Sequence, residues 1–145
     1  MTAVDPDAPT ARLSEAARRF LAPPRFAIVS SLNPDGSPLQ AVIWYKLDGD
    51  SVVFNSRLRR RWPTNLERER RVSVIVEDGY DYLEMRGEVE IDEDPIEAQA
   101  VAAELAHRYH DDEAVAAATI EEFSRQQRVT FRLRPTRVFE RFADH

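Results

Sequence analysis

The densest chemistry in the chain lies in Phe54-Asn55-Ser56-Arg57-Leu58-Arg59-Arg60-Arg61, where an apolar stretch gives way to amide, hydroxyl and guanidinium side chains. Pro63 follows at a position suited to the first turn of a helix. Backbone N–H groups at a helix start, the positive end of its dipole and the forked donors of arginine together fit a phosphate. The competing reading is a solvated basic loop. Charge distribution bears on the choice. From Arg57 to Arg71, seven arginines stand against two glutamates, a local balance of +5 in a chain of net charge −6, so the remainder carries −11. A basic island in an acidic protein points to one localised anion site, and the acidic total argues against a broad nucleic-acid surface.

A second candidate is Gln40-Ala41-Val42-Ile43-Trp44, followed by Tyr45. Such a strand could lay its backbone along the edge of a planar ring system, although Val42, Ile43 and Trp44 suit a hydrophobic core equally well. His107-x-x-His110, followed by Asp111-Asp112-Glu113, has a spacing that shares one helix face. It falls near an expected helix end and has no third ligand in view, so no metal site is expected. The chain has no cysteine, which excludes disulfides, thiolate metal sites and cysteine nucleophiles. Its four glycines compose none of the glycine-rich signatures of serine hydrolases, nucleotide triphosphatases or dinucleotide-binding folds.

The elements that must position these residues read as mainly β. Phe26–Leu32, Pro38–Leu47 and Ser51–Asn55 are apolar, β-prone segments separated by Asn33-Pro34-Asp35-Gly36 and Asp48-Gly49-Asp50 turns. Connections this short force antiparallel neighbours, so the first half reads as a β-meander. Val72–Glu77 is a nearly continuous apolar run, as expected of a strand buried on both faces. Tyr82–Ile91 alternates, with Leu83, Met85, Gly87, Val89 and Ile91 on one face. Arg128–Arg134 and Thr136–Phe142 are two further alternating strands. Helices are expected over Ser14–Leu21, within 57–69, from Asp94-Pro95 to about Arg108, and over Asp112–Ser124. Six or seven antiparallel strands close most naturally into a barrel, which removes unpaired edges.

The chain has 145 residues, enough for one core. Residues 1–12 are expected to be a flexible tail and 13–145 a single domain; His145 is expected to be disordered. No apolar run approaches a membrane span and no secretory leader is evident at the start, so a cytoplasmic location is expected.

The segment FAIVSSLNPDGSPLQAVIWYKLDGDSVVFNSRLRRRWPTNLERERRVSVIVED resembles the front half of the pyridoxamine 5′-phosphate oxidase-like superfamily, the FMN-binding split barrels, and most closely its deazaflavin (F420)-dependent reductase branch. The resemblance rests on Asp35-Gly36-x-Pro38, the Gln40–Trp44 strand, Asp48-Gly49-Asp50, Asn65-Leu66 before Arg71-Val72-Ser73, and Arg86-Gly87-Glu88-Val89. It covers about residues 20–92. It implies a homodimeric split β-barrel with a cofactor, F420 or alternatively FMN, in a groove between subunits. By the same resemblance Gln40, Ala41, Val42, Ile43 and Trp44 run beside the cofactor ring. Asn55 and Ser56, with Arg59, Arg60 and Arg61, hold the phosphate, and Asn65 fixes the loop. The implied activity is hydride transfer between reduced cofactor and a small electron-poor organic substrate. The alternatives are an FMN-dependent oxidase or flavin reductase, and a non-catalytic carrier or sensor of flavin, deazaflavin or haem. The family often has a lysine where this chain has Trp62, so a flanking arginine is expected to supply that charge. No catalytic side chain is singled out; Tyr45, Tyr80, Tyr82 or solvent are the proton sources considered.

Overall fold

The turn at Asn33–Ser37 sets the first register. Gly36 takes φ 85°, a conformation that costs a residue with a Cβ, and Asn33 N–H bonds to the Ser37 carbonyl at 2.8 Å. Asp35 accepts from the Ser37 backbone at 2.9 Å and from its hydroxyl, which holds the carboxyl below its ordinary range. The strands that this turn joins are β1 (Ala27–Leu32) and β2 (Pro38–Ile43), paired from Ala27 opposite Ile43 to Leu32 opposite Pro38. The computed structural model describes residues 11–143, so the expectations for residues 1–10 and for His145 lie outside the described residues.

The expected second strand, 38–47, is divided. After β2 the chain bends at Trp44-Tyr45 and resumes as β3 (Lys46–Asp48), which pairs with β4 (Ser51–Arg57). The cause is local. Tyr45 is fully buried, and its hydroxyl donates to the Leu21 carbonyl at 2.9 Å. The Tyr45 N–H donates to the Tyr109 hydroxyl at 3.1 Å, and its carbonyl accepts from Arg108 Nε at 2.9 Å. Side chains thus take the backbone partners that a ladder would supply, and pairing stops.

That bend closes the molecule. The sheet runs β2-β1-β5-β6-β7-β4-β3, with β5 spanning Arg71–Asp78, β6 Asp81–Asp92 and β7 Arg128–Leu133; β8 (Arg137–Arg141) also pairs with β6. The two ends of the path, β2 and β3, are halves of one strand, so the sheet curls back on itself as an antiparallel split barrel. Both hairpins of the expected meander form; eight strands are seen among the described residues because the middle strand is broken. The long β6 serves two neighbourhoods, pairing with β5 and β8 over residues 81–88 and with β7 over 89–92. Gly87 marks the switch: a Cβ there would meet Leu133 Cδ1 at 3.0 Å and the Arg134 carbonyl at 3.3 Å. The expectation that β5 is buried on both faces needs correction, because Val72, Val74 and Val76 are buried while Ser73 and Ile75 are half-buried.

Inside the barrel Tyr45, Phe54, Phe131, Leu83, Met85 and Leu133 are fully buried. The helix α2 (Arg61–Arg68) plugs one end with Trp62 and Leu66, and Trp62 packs 5.9 Å from Phe54 and 5.5 Å from Phe131 between ring centres. The helix α1 (Glu15–Leu21) is capped by Ser14, which accepts from Ala17 N–H at 3.0 Å, and buries Ala17 and Leu21. Outside the barrel, α3 (Pro95–Tyr109) and α4 (Glu113–Ser124) are capped by Asp94 and Asp112, as their sequences predict. Val101 and Leu105 of α3 pack on Val53, with Trp44 and Tyr109 beside them. This layer of helices stands over the outer face of β4 and β7 and leaves a space beneath it.

Candidate functional site

Strand alternation decides which side chains of β4 meet the helices. Phe54 and Ser56 point into the barrel, whereas Val53, Asn55 and Arg57 point outward. Across the ladder Arg57 lies opposite Arg128 and Asn55 opposite Thr130. Beneath the helices these residues wall a cavity of about 450 Å³. Val42, Ile43 and Trp44 form one side of it. Asn55, Arg57, Arg60 and Trp62 form the second, and Leu105, His110, Phe123 and Arg128 contribute from the helices and β7.

The tryptophan-bearing strand and the arginine-rich bend, far apart in local pattern, therefore border one space. Trp44 is held in place: its indole stacks on Tyr109 at 4.9 Å and 7°, and meets His110 edge-on at 5.3 Å. Tyr109 is fixed in turn by donating to the Arg25 carbonyl at 2.6 Å, and burial raises its phenol pKa. Asn55 is fully engaged, donating to the Ala98 carbonyl and to Thr130 Oγ1, both at 3.0 Å, and accepting from Arg128 Nε at 2.7 Å.

The electrostatics are unusual. Arg57, Arg60 and Arg128 have no carboxylate within 4.0 Å among the described residues. Arg128 lies over the Phe123 ring at 4.0 Å. Burial, helped by Arg60 and Arg57, lowers its pKa to about 10. Three guanidiniums without a counter-ion, one of them desolvated, make a site that gains from an anion.

Of the residues expected at a cofactor, Val42, Ile43, Trp44, Asn55 and Arg60 line this cavity. Gln40 and Ala41 lie further along β2 and do not reach it. Ser56 faces the barrel interior, 1% exposed, and its hydroxyl has no hydrogen-bond partner among the described residues. Arg59, Arg61 and Asn65 border a different, open groove of about 800 Å³ with Asn33, Thr64 and Arg68. Asn65 is buried and donates to Ser31 Oγ at 3.1 Å and to Asn33 Oδ1 at 3.0 Å, tying α2 to β1 and its turn. Trp62, where the resemblance implies a lysine, is a core residue, and the positive charge on the wall comes from Arg57, Arg60 and Arg128.

Arg128 and Phe123 carried no site signal in the sequence, whereas Arg57 lay in the candidate phosphate segment without being named as a charge partner and His110 was weighed only for a metal. Arg128 sits in an ordinary alternating strand, and only the ladder brings it opposite Arg57. The two histidines do not act together, since His107 is exposed while His110 lies on the wall. Of the tyrosines considered as proton sources, Tyr45 is sealed in the core with its pKa pushed up to about 12 by burial. Tyr80 is 91% exposed and Tyr82 stacks on Phe139, neither of them on this wall.

Comparison with solved structures places this geometry among relatives. The chain is similar to an F420 reductase at 27% identity, covering 87% of this chain and 98% of that one with a TM-score of 0.69. A conserved hypothetical protein of Mycobacterium tuberculosis shares the fold at 23% identity and a TM-score of 0.74, over 94% of this chain and 89% of that one. So does a haem storage protein of Vibrio cholerae, at 17% identity and a TM-score of 0.67, over 90% and 95%. Among curated proteins, none matches the sequence. Residues 13–142, which span every strand of the barrel and both helices over the cavity, match the model for pyridoxamine 5′-phosphate oxidase, and the chain belongs to that family.

Proposed function

We propose that this protein is an F420-dependent oxidoreductase that transfers a hydride between the reduced deazaflavin and a small electron-poor organic substrate held in the cavity under α3 and α4. The observation that carries this reading is the union, around one cavity, of a flat apolar strand with guanidiniums that have no counter-ion among the described residues. A phosphorylated, planar cofactor needs both together, and neither is explained by packing alone. The 27% identity with an F420 reductase, over almost its whole length, supports deazaflavin over FMN.

The residues present fit such a group. Val42 and Ile43 offer an apolar edge, Trp44 an immobilised ring, and Arg57 and Arg60 exposed charge for a phosphate at the mouth. When bound, the deazaflavin supplies the two-electron hydride chemistry. The protein's part is to orient and to exclude water. Phe123, Leu105 and Trp62 add apolar lining to the cavity, and the Trp44–Tyr109 stack keeps the ring wall rigid. His110, edge-on to Trp44, is placed to hold or pass a proton at its imidazole.

The protein is further proposed to work as a homodimer, without nucleic acid or membrane partners. Val42, 68% exposed, and Phe26, 63% exposed, leave apolar surface beside the ring wall that a second copy would cover. Among the described residues no helix is long and apolar enough to cross a membrane.

A second reading keeps the cavity but not the turnover: a carrier of haem or flavin. His110 favours it, because an imidazole on an aromatic-lined wall is also a haem ligand. Titration separates the readings. Reduced F420 is expected to bind at micromolar concentration and to be reoxidised by an added quinone or enone. Tight binding of haem or FMN with no turnover over a broad acceptor panel would replace the reductase by the carrier.

A further inference from the structure

Two arginines on the same face of β7 have opposite surroundings. Arg132 meets Asp48 at 2.8 Å, an ordinary ion pair. Arg128, four residues earlier, meets two neutral amide oxygens instead: Nε donates to Asn55 Oδ1 and Nη1 to Gln126 Oε1. Amides orient a guanidinium without neutralising it. Asn55 is itself locked by Ala98 and Thr130, and Phe123 lies against the guanidinium plane at 4.0 Å, so the group has little freedom left.

Nε–H and one Nη1 hydrogen of Arg128 are thus tied to the protein. Both Nη2 hydrogens and the second Nη1 hydrogen have no partner among the described residues, and Arg128 lines the cavity. Two parallel N–H donors on a fixed plane match the two oxygens of a carboxylate. The position also discriminates. Arg57 and Arg60 are exposed and can serve a hydrated dianion at the mouth, whereas Arg128 is half-buried behind them, where a monoanion is less costly to desolvate. Trp44 and Phe123, which meet edge to face with ring centres 6.3 Å apart at 65°, line the same cavity and give it an aromatic wall for a flat, conjugated body to lie along.

We infer that Arg128 is the specificity residue for the substrate, a planar conjugated carboxylic acid whose carboxylate docks on the free Nη donors while its unsaturated part lies along the wall made by Trp44 and Phe123. The assignment rests on the cavity being the reaction site, and it names the substrate class of that site. The lowered pKa of Arg128 agrees with it, since a charge left without a counter-ion in a partly buried place is what an incoming carboxylate relieves.

The test compares trans-cinnamate with trans-cinnamamide, equal in shape and different in charge, binding to the full chain by calorimetry or NMR titration. The acid is expected to bind at least tenfold more tightly than the amide. Arg128→Met is expected to bring the ratio to about one. Gln126→Glu, which sets a carboxylate against the guanidinium, is expected to do the same while keeping the melting temperature of the native protein, so loss of fold cannot account for the result. A ratio near one in the native protein, or a ratio that survives both variants, would overturn the inference. So would a ratio that disappears once F420 saturates the protein, because the fork would then belong to the cofactor. In turnover with reduced F420, 3-benzoylacrylate should exceed its amide in kcat/KM by a similar factor, chiefly through KM. Absence of all turnover would count against the reductase reading alone; equal turnover of acid and amide would count against the carboxylate fork alone.

Discussion

The bend at residues 57–61 has two sides, and they differ in everything but composition. On the inner side Arg57 and Arg60 join Arg128 around an aromatic-lined cavity of about 450 Å³. On the outer side Arg59 and Arg61 border a shallow groove with Thr64 and Arg68, open to solvent. None of Arg57, Arg59, Arg60 and Arg61 has an ion-pair partner among the described residues. All four are exposed, and what separates the sides is the half-buried, fixed Arg128 and the aromatic enclosure that only the inner pair borders. A guanidinium in water interacts weakly with an anion, while the same group against Phe123 and beneath a helix layer interacts strongly and in one direction. Clustered charge marks a region; enclosure makes a site of one side of it.

The largest effect comes from removing the enclosure. Tyr45→Ala empties the core position that bends the strand between β2 and β3, and should cost about 3–5 kcal/mol in urea denaturation. Cofactor binding should be lost with it, while the outer groove, which has no contact with that bend, keeps whatever weak anion affinity it has. Tyr45→Phe sharpens the point through pH. The folded-state phenol pKa, about 12, lies above the unfolded value near 10, so its contribution is complete below pH 10 and is lost as pH rises through 12. Thermal melts between pH 9 and 12 should fall more gently in Tyr45→Phe than in the native protein.

Next in size is the contrast between paired substitutions. Arg57→Ala with Arg60→Ala should weaken F420 binding about a hundredfold, near 3 kcal/mol for two charge-assisted contacts. Arg59→Ala with Arg61→Ala should change it less than about threefold. Equal losses in the two double variants would erase the distinction drawn between the sides. The smallest effect concerns the backbone: Arg59 adopts φ 74°, the one non-glycine residue with positive φ among those described. Arg59→Gly should therefore raise stability by up to about 1 kcal/mol in thermal melts, without altering cofactor affinity.

Much of this was legible before the structure. The turn chemistry at Asp35-Gly36 and Asp48-Gly49, the alternation of Leu83, Met85 and Val89, and the caps at Asp94 and Asp112 are local signals, and each element formed where its residues indicated. The cavity was half legible. Val42, Ile43, Trp44, Asn55 and Arg60 could be named because they sit in segments that resemble a known family. Ser56, Arg59 and Arg61 drew the same expectation from the same segments but lie off the cavity, because neighbours in sequence alternate across a strand or a bend. Arg128 left no trace, since its partners Asn55 and Gln126 are seventy-three and two residues away and only one of them is local.

What the amino-acid order determined by itself is therefore short-range: which stretches extend, which turn, which coil, and that positive charge gathers after the third β segment. Which guanidinium is enclosed, which amide aims it, and which two halves of a strand close the barrel depend on pairings across the sheet and on helices arriving from residues 95–124. Local backbone preference acts over a few residues, whereas burial and register are set by contacts between distant ones. A binding site made of desolvated charge can be decided only at that second level.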